Sequence, residues 1–435
     1  MLTYELEKTS TEPIYIQIYR HIRMDIEQGR IEAGEKLPSK RALAANLGVS
    51  IITVENAYSQ LVAEGYVRSI PKKGYFTENI QIAPAKPTES VCQPSAPSEV
   101  KTENTPPLFP FTVWAKLMRE ELACNRAKLL TRPPAEGVYE LREAIAGHLK
   151  SFRNMDVLPE QIIIGAGTEY LYILIRMLLG EKSVIAVEDP GYGKIADIYE
   201  SLGMRCEWIP MCSDGIDTEL LKKSHADVAH ISPSHHFPTG VLTSIGKRYE
   251  LLSWAAKGRY IIEDDYDSEI RISCRPIPSL FSIDVTDRVI YMNTFSKSLT
   301  PTIRISYMIL PLPLLERFRE KLGSFSCAVS AFEQYTLARF ISDGYFEKHI
   351  RRLRKYCKDG RDAILKCVSE GGLFENAVIS GNNAGLHCLV QFDTKITDTE
   401  LLSAVTEMGF RASALRDYYR TTPEQELHSL IIYYY

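Results

Sequence analysis

The chain has 435 residues, is 45% hydrophobic and 24% charged, and carries a formal net charge of −4. That length predicts two or three domains, and that balance fills more than one core. It excludes a polycation that holds nucleic acid by bulk charge, so any such contact must come from a local patch. Nine cysteines are scattered without a C-x-x-C pair, so neither a disulfide framework nor a metal site is expected. The N-terminal MLTYELEKTSTEP lacks an apolar signal core, and no stretch reaches the ~18 apolar residues of a membrane helix. A reducing, cytoplasmic compartment without membrane contact is expected.

Residues 11–77 read as a first domain. PIYIQIYRHIRMDIEQG places Ile14, Ile16, Ile18, Tyr19, Ile22 and Ile26 at near-helical spacing. LPSKRALAANLG predicts a short helix with Ser39 as its N-cap, and Gly48 makes the turn. Ser50 caps a second helix whose Val54, Ala57, Tyr58, Leu61 and Val62 form an inner stripe. YVRSIPKKGYFT predicts two short strands around a basic turn holding Lys72, Lys73 and Gly74. Helix, tight turn, helix and wing is the winged helix-turn-helix plan.

The segment LPSKRALAANLGVSIITVENAYSQLVAEGYV resembles the DNA-binding domain of GntR-type transcription regulators. The resemblance implies that the second helix enters the major groove of operator DNA while the wing approaches the minor groove. It implies Ser39, Lys40, Arg41, Ser50, Thr53, Lys72 and Lys73 as contacts. One position departs: the residue after Ser50 is usually basic in that family, and here it is Ile51. Lys and Arg only slightly outnumber Asp and Glu in this domain, which predicts modest non-specific affinity and leaves specificity to dimerisation.

Residues 78–107 are rich in Pro, Ser, Thr and Glu. Such a stretch cannot bury enough apolar surface to offset its ordering entropy, and it reads as a flexible linker. As a coil it would span roughly 30 Å on average.

From residue 108 to 435, short apolar runs alternate with helical patterns. QIIIGAG, SVIAVED, DVAHISPS, RYIIEDDY and RVIYMNTFS end in small or polar residues. The pattern predicts an α/β domain with a mostly parallel central sheet, whose ligand lies at the carboxyl ends of the strands. The residues at those ends describe pyridoxal 5′-phosphate, which needs an amine, a carboxylate for its ring nitrogen, a flat side chain to stack on and a phosphate cup. Lys297 supplies the amine and Asp264 the carboxylate. Tyr266 can reach the ring hydroxyl, and Tyr192 follows a Pro-Gly turn and can lie on the ring. Gly167, Thr168 and Glu169 open a helix whose free N–H groups and dipole suit phosphate. Thr294, Ser296 and Arg304 add hydroxyls and a guanidinium.

EDDYDSEIR, EDPGYGK, NTFSKSLTPTIRISY and GYFEKHIRRLRKYCKDGRDAIL resemble the MocR (GabR-type) subgroup of regulators. In these a GntR-type winged helix is joined to a fold-type I, PLP-dependent aminotransferase-like domain. The resemblance implies a bacterial regulator that binds the cofactor through the lysine and senses an amino compound or PLP itself. It also implies a head-to-tail homodimer on double-stranded operator DNA. The alternative is a catalytic aminotransferase with an accessory DNA-binding domain; at most limited half-transamination is expected. Where such enzymes carry the Asn of NPTG, this chain has Phe237, with His235 and His236 beside it. Where they hold a substrate carboxylate with a late-strand Arg, it has Ile431, and it stops at Tyr435 where the family usually adds a helix. Lys194, Arg411, Arg416 and Arg420 remain as effector-binding candidates. The basic run from His349 to Arg361 reads as a solvated helix face, a dimer contact or a DNA contact.

Overall fold

The computed structural model describes residues 2–7, 12–80, 108–272, 277–381, 383–421 and 423–434. The chain divides into two units, Met1–Lys101 and Thr102–Tyr435. The linker expected over 78–107 lies, from residue 81 onward, outside the described residues.

The first unit holds α1 (Ile14–Glu27), α2 (Lys40–Leu47), α3 (Ile51–Ala63) and an antiparallel pair, β1 (Val67–Ile70) and β2 (Gly74–Thr77). Ser39 accepts the Ala42 N–H at 3.2 Å and so caps α2. Gly48 ends that helix in the left-handed conformation, φ 62°, which costs glycine no Cβ clash. Ser50 caps α3 by accepting the Thr53 N–H at 3.1 Å. Ile18, Ile22, Leu43, Val54, Ala57, Tyr58 and Leu61 form the core, and each large aliphatic there contributes about 1.5–3 kcal/mol. Tyr58 is buried to its hydroxyl, which donates to the Pro38 carbonyl at 2.9 Å and ties α3 to the start of α2. Val62 is a correction to the predicted stripe. It is 36% exposed, because one residue past Leu61 the helix has already turned its face outward.

The second unit is built on an eight-stranded sheet. Its strands are β3 (Ile162–Gly165), β4 (Val184–Asp189), β5 (Arg205–Cys212), β6 (Gly215–Ile216), β7 (Val228–Ile231), β8 (Tyr260–Asp264), β9 (Val289–Thr294) and β10 (Ser306–Ile309). Their order across the sheet is β3-β10-β9-β8-β7-β4-β5-β6. β5, β4, β7, β8 and β9 run parallel, while β10 lies antiparallel between β9 and β3. The carboxyl ends of β3, β4, β7, β8 and β9 therefore share one edge. The parallel strands read as continuous apolar runs because both faces of the sheet are covered. A second, antiparallel sheet joins β11 (Val378–Ser380), β12 (His387–Gln391), β13 (Arg411–Ala414) and β14 (Ser429–Tyr433) in the order β11-β12-β14-β13.

The basic run lies on the helix Tyr345–Glu370. Phe346, His349, Ile350, Leu353 and Cys357 face inward, whereas Arg351, Arg352, Lys355 and Lys358 are exposed. The Arg354 Nε donates to the Glu269 carbonyl at 2.7 Å, so that arginine anchors the helix.

Candidate functional site

A cavity of about 360 Å³ opens at the shared carboxyl edge of the large sheet. The period-2 alternation of β8 explains how it receives one acid and not its neighbours. Glu263 turns to the other face, where it accepts the N–H groups of Leu280 and Phe281, each at 2.9 Å, and lies 3.7 Å from Arg248. Asp265 pairs with buried Arg153 and accepts the Tyr291 hydroxyl at 2.7 Å. Asp264, between them, lines the cavity. It is 7% exposed, and its Oδ2 lies 3.6 Å from His230 Nε2 while its Oδ1 has no hydrogen-bond partner among the described residues.

Lys297 also lines the cavity, from the short helix Phe295–Ser298 that follows β9. That turn is held on three sides. The Thr294 hydroxyl accepts the Ser296 N–H at 3.1 Å, the Phe295 N–H donates to the Ile305 carbonyl at 2.9 Å, and His349 Nε2 donates to the Ser298 carbonyl at 2.7 Å. The lysine thus projects from a fixed backbone.

The helix Thr168–Leu179 starts at the cavity, preceded by Gly167. Gly167 has φ +90°, and a Cβ there would fall 2.2 Å from Arg304 Nη2. Only glycine lets the guanidinium approach this helix start. Arg304 itself sits at φ 48°, a strained conformation for a residue with a Cβ. Glu169 bridges two cations, pairing with Arg304 and accepting Lys194 Nζ at 2.7 Å. Burial would raise the Glu169 carboxyl, but the hydrogen bonds from Lys194, its own backbone and Arg304 outweigh it and lower it to about 2. Two cations, one carboxylate, the hydroxyls of Thr168, Thr294 and Ser296 and a helix start therefore meet at one end of the cavity.

Part of the cavity lining is aromatic. Phe237 packs edge-on against Tyr192 at 6.0 Å and Tyr418 at 5.0 Å. Tyr418 and Tyr433 hydroxyls lie 3.3 Å apart, and the Arg411 guanidinium lies 5.3 Å over the Tyr433 ring. Tyr266 donates its hydroxyl to the His235 carbonyl at 3.1 Å. Glu188 and Ser232 form part of the floor. Burial raises the Glu188 carboxyl to about 8, against the Ser232 N–H bond and with Asp264 adding.

Of the expected cofactor residues, Lys297, Asp264, Tyr266, Tyr192, Thr168, Glu169, Thr294, Ser296 and Arg304 all line this cavity, and Gly167 abuts Arg304. Lys194 and Arg411 line it too. Arg416 does not. It donates to Glu426 at 2.8 Å and to the Pro423 carbonyl at 3.1 Å, so it braces its own loop. Arg420 stacks over Trp208 at 5.4 Å. Ile431 is wholly buried in β14. Sequence reasoning missed Glu188, Tyr172, Tyr418 and Tyr433. Glu188 stands one residue before Asp189 in a quoted motif, and strand alternation offered the clue; the tyrosines carried none.

In the first unit, Ser39, Arg41, Ser50, Lys72 and Lys73 are exposed. The Ser39 and Ser50 hydroxyls are committed to capping. Thr53 is half-buried, its hydroxyl 2.7 Å from that of Ser50. Lys40 is paired with Glu55. Lys72 adopts φ 63° at the wing tip. Ile51 and Ile52, at the start of α3, are 46% and 69% exposed.

The cavity's residues fit pyridoxal phosphate. The unpartnered, buried Asp264 Oδ1 can accept a proton-bearing ring nitrogen, and Lys297 and the cationic end stand around it.

Residues 14–77 match the model of the bacterial regulatory proteins of the gntR family. Residues 102–422 match that of class I and II aminotransferases. The chain is 37% identical to the HTH-type transcriptional regulator YdeL of Bacillus subtilis, over 99% of this chain and 95% of that one. It is 30% identical to the probable rhizopine catabolism regulatory protein MocR of Rhizobium meliloti, over 97% and 90% respectively. Its fold is similar to that of kynurenine aminotransferase from Pyrococcus horikoshii, with a TM-score of 0.65, 24% identity, and coverage of 76% of this chain and 83% of that one. No helix among the described residues is long and apolar enough to cross a membrane. With a gntR-type helix-turn-helix followed by an aminotransferase fold, and this likeness over nearly its whole length, the chain belongs to the MocR-type HTH transcriptional regulators.

Proposed function

We propose that the large unit binds pyridoxal 5′-phosphate and senses an amino compound, or the cofactor itself, to control operator binding by the winged helix. The observation that carries this reading is the buried Asp264 carboxylate, with one oxygen unpartnered, in the same cavity as Lys297 and Arg304. Bound cofactor supplies an aldehyde that captures amines and a ring that delocalises charge.

The chain's own residues do the rest. Lys297 presents its amine from the fixed turn after β9. Asp264 holds the proton at the ring nitrogen. Tyr266 reaches the ring hydroxyl, and Tyr192, beside Phe237, supplies the stacking face. Arg304, the Thr168 helix start and Ser296 hold the phosphate. Arg411 and Lys194, both at the cavity, are the cations for an effector's carboxylate. The aromatic wall between them favours an amino compound with an apolar body. The working form is a homodimer in the cytoplasm, head to tail, with a winged helix from each copy on one operator.

The test is spectroscopic. Purified protein should carry the cofactor's visible absorbance. Candidate amines with operator DNA present should shift that absorbance and the DNA affinity together, without turnover. Sustained amino transfer to a keto acid would instead mean a working enzyme, and a protein that takes up no chromophore when cofactor is supplied would sink the reading.

A further inference from the structure

A second cluster lies behind the cavity wall. His235 stands on the loop after β7, Asp267 in the turn after β8, and His387 opens β12. One ligating atom from each lies within 4.8 Å of the others, and the three residues are 4%, 3% and 2% exposed. His235 Nδ1 is 2.8 Å from Asp267 Oδ2, and the two imidazole rings are 4.6 Å apart. The Nε2 atoms of both histidines are buried and have no hydrogen-bond partner among the described residues.

The third strand reaches the cluster only because Gly385 has no side chain. A Cβ there would fall 2.1 Å from His235 Cε1 and 2.4 Å from Asp267 Oδ2, into the space between the ligating groups.

We propose that His235, Asp267 and His387 bind one divalent first-row transition ion, zinc above all. Two imidazoles and a carboxylate, without thiolate, suit such an ion; calcium and magnesium prefer oxygen alone. Three protein ligands leave a position for water. The ion would clamp the C-terminal sheet, through β12, to two segments that line the cavity, the loop carrying Phe237 and the turn carrying Tyr266. This reverses the expectation of no metal, which rested on cysteine spacing; the three ligands are too far apart in sequence to form a motif. The site stands independently of the cofactor reading.

Full-length protein is stripped with a chelator and titrated with cobalt(II), reading the visible ligand-field band. The expected result is a band that saturates at one ion per chain, is displaced by zinc, and is absent from His387→Gln and from Asp267→Asn. A wild-type protein without the band, or a band that survives both substitutions, overturns the proposal. If a variant loses its circular dichroism signal, the wild-type thermal midpoint decides. It should rise with zinc concentration as binding linkage requires, and a midpoint indifferent to zinc overturns the site.

Discussion

The two units of this chain assemble their working surfaces in opposite ways. The winged helix builds most of its core within Ile14–Thr77, and its α2 and α3 caps and wing turn are made by near neighbours: Ser39 to Ala42, Ser50 to Thr53, Lys73 to Ile70. The large unit gathers its cavity from Thr168 to Tyr433, by bringing the ends of parallel strands to one edge and laying a second sheet beside them. A local surface can lose one residue and keep its shape. A gathered one depends on the distant pieces that hold each side chain, as Gly167 does for Arg304.

That contrast gives unequal consequences for substitution. Lys297→Ala should remove the cofactor's visible band altogether while operator affinity stays within about twofold, since the winged helix has a core of its own. Absorbance and gel-shift titrations on one preparation check both halves. If Arg304 holds the phosphate as proposed, Arg304→Ala removes a charge-assisted contact worth about 1.5–3 kcal/mol, and cofactor should bind about 10–100-fold more weakly. Glu169→Gln should act with the opposite sign. It frees Arg304 and Lys194 from a shared carboxylate, and equilibrium dialysis should show tighter cofactor binding.

In the small unit, Arg41→Ala should cost about 1–3 kcal/mol of operator binding if it reads a base, with the cofactor spectrum unchanged. Normal binding by this variant would remove Arg41 from the contact surface.

Glu188 gives the contrast a pH dependence. Its folded carboxyl titrates at about 8 against an ordinary value of 4.5, so between those values the folded chain holds a proton that the unfolded chain has released. The stability it contributes is full below pH 4.5 and is lost as pH rises through 8. Glu188→Gln, which keeps an acceptor for the Ser232 N–H, should flatten that decline and raise the thermal midpoint at pH 8–9.

The same contrast explains what was legible beforehand. The winged helix was read almost residue by residue because caps, glycine turn and apolar stripe are local signals; Val62 was misplaced by one helical step. In the large unit, the strand-end residues from Gly167 to Lys297 are legible because each follows an apolar run that marks its strand. Arg416 was misjudged because Glu426 and Pro423, which hold it, lie in an irregular loop without periodicity. Tyr418 and Tyr433 escaped notice because only the pairing of β13 with β14 brings them to the cavity. His235, Asp267 and His387 could not be joined without the fold.

If the cofactor site senses the amine, Lys297 should carry the signal from the large unit to the winged helix. The most direct test is the operator dissociation constant of the wild type and of Lys297→Ala, each measured with and without an effective amine. The expected result is a change of about 5–150-fold in the wild type, the usual range of allosteric coupling, and none in the variant, whose DNA affinity should stay within about twofold of the amine-free wild type. A variant that keeps the full response to the amine would contradict it.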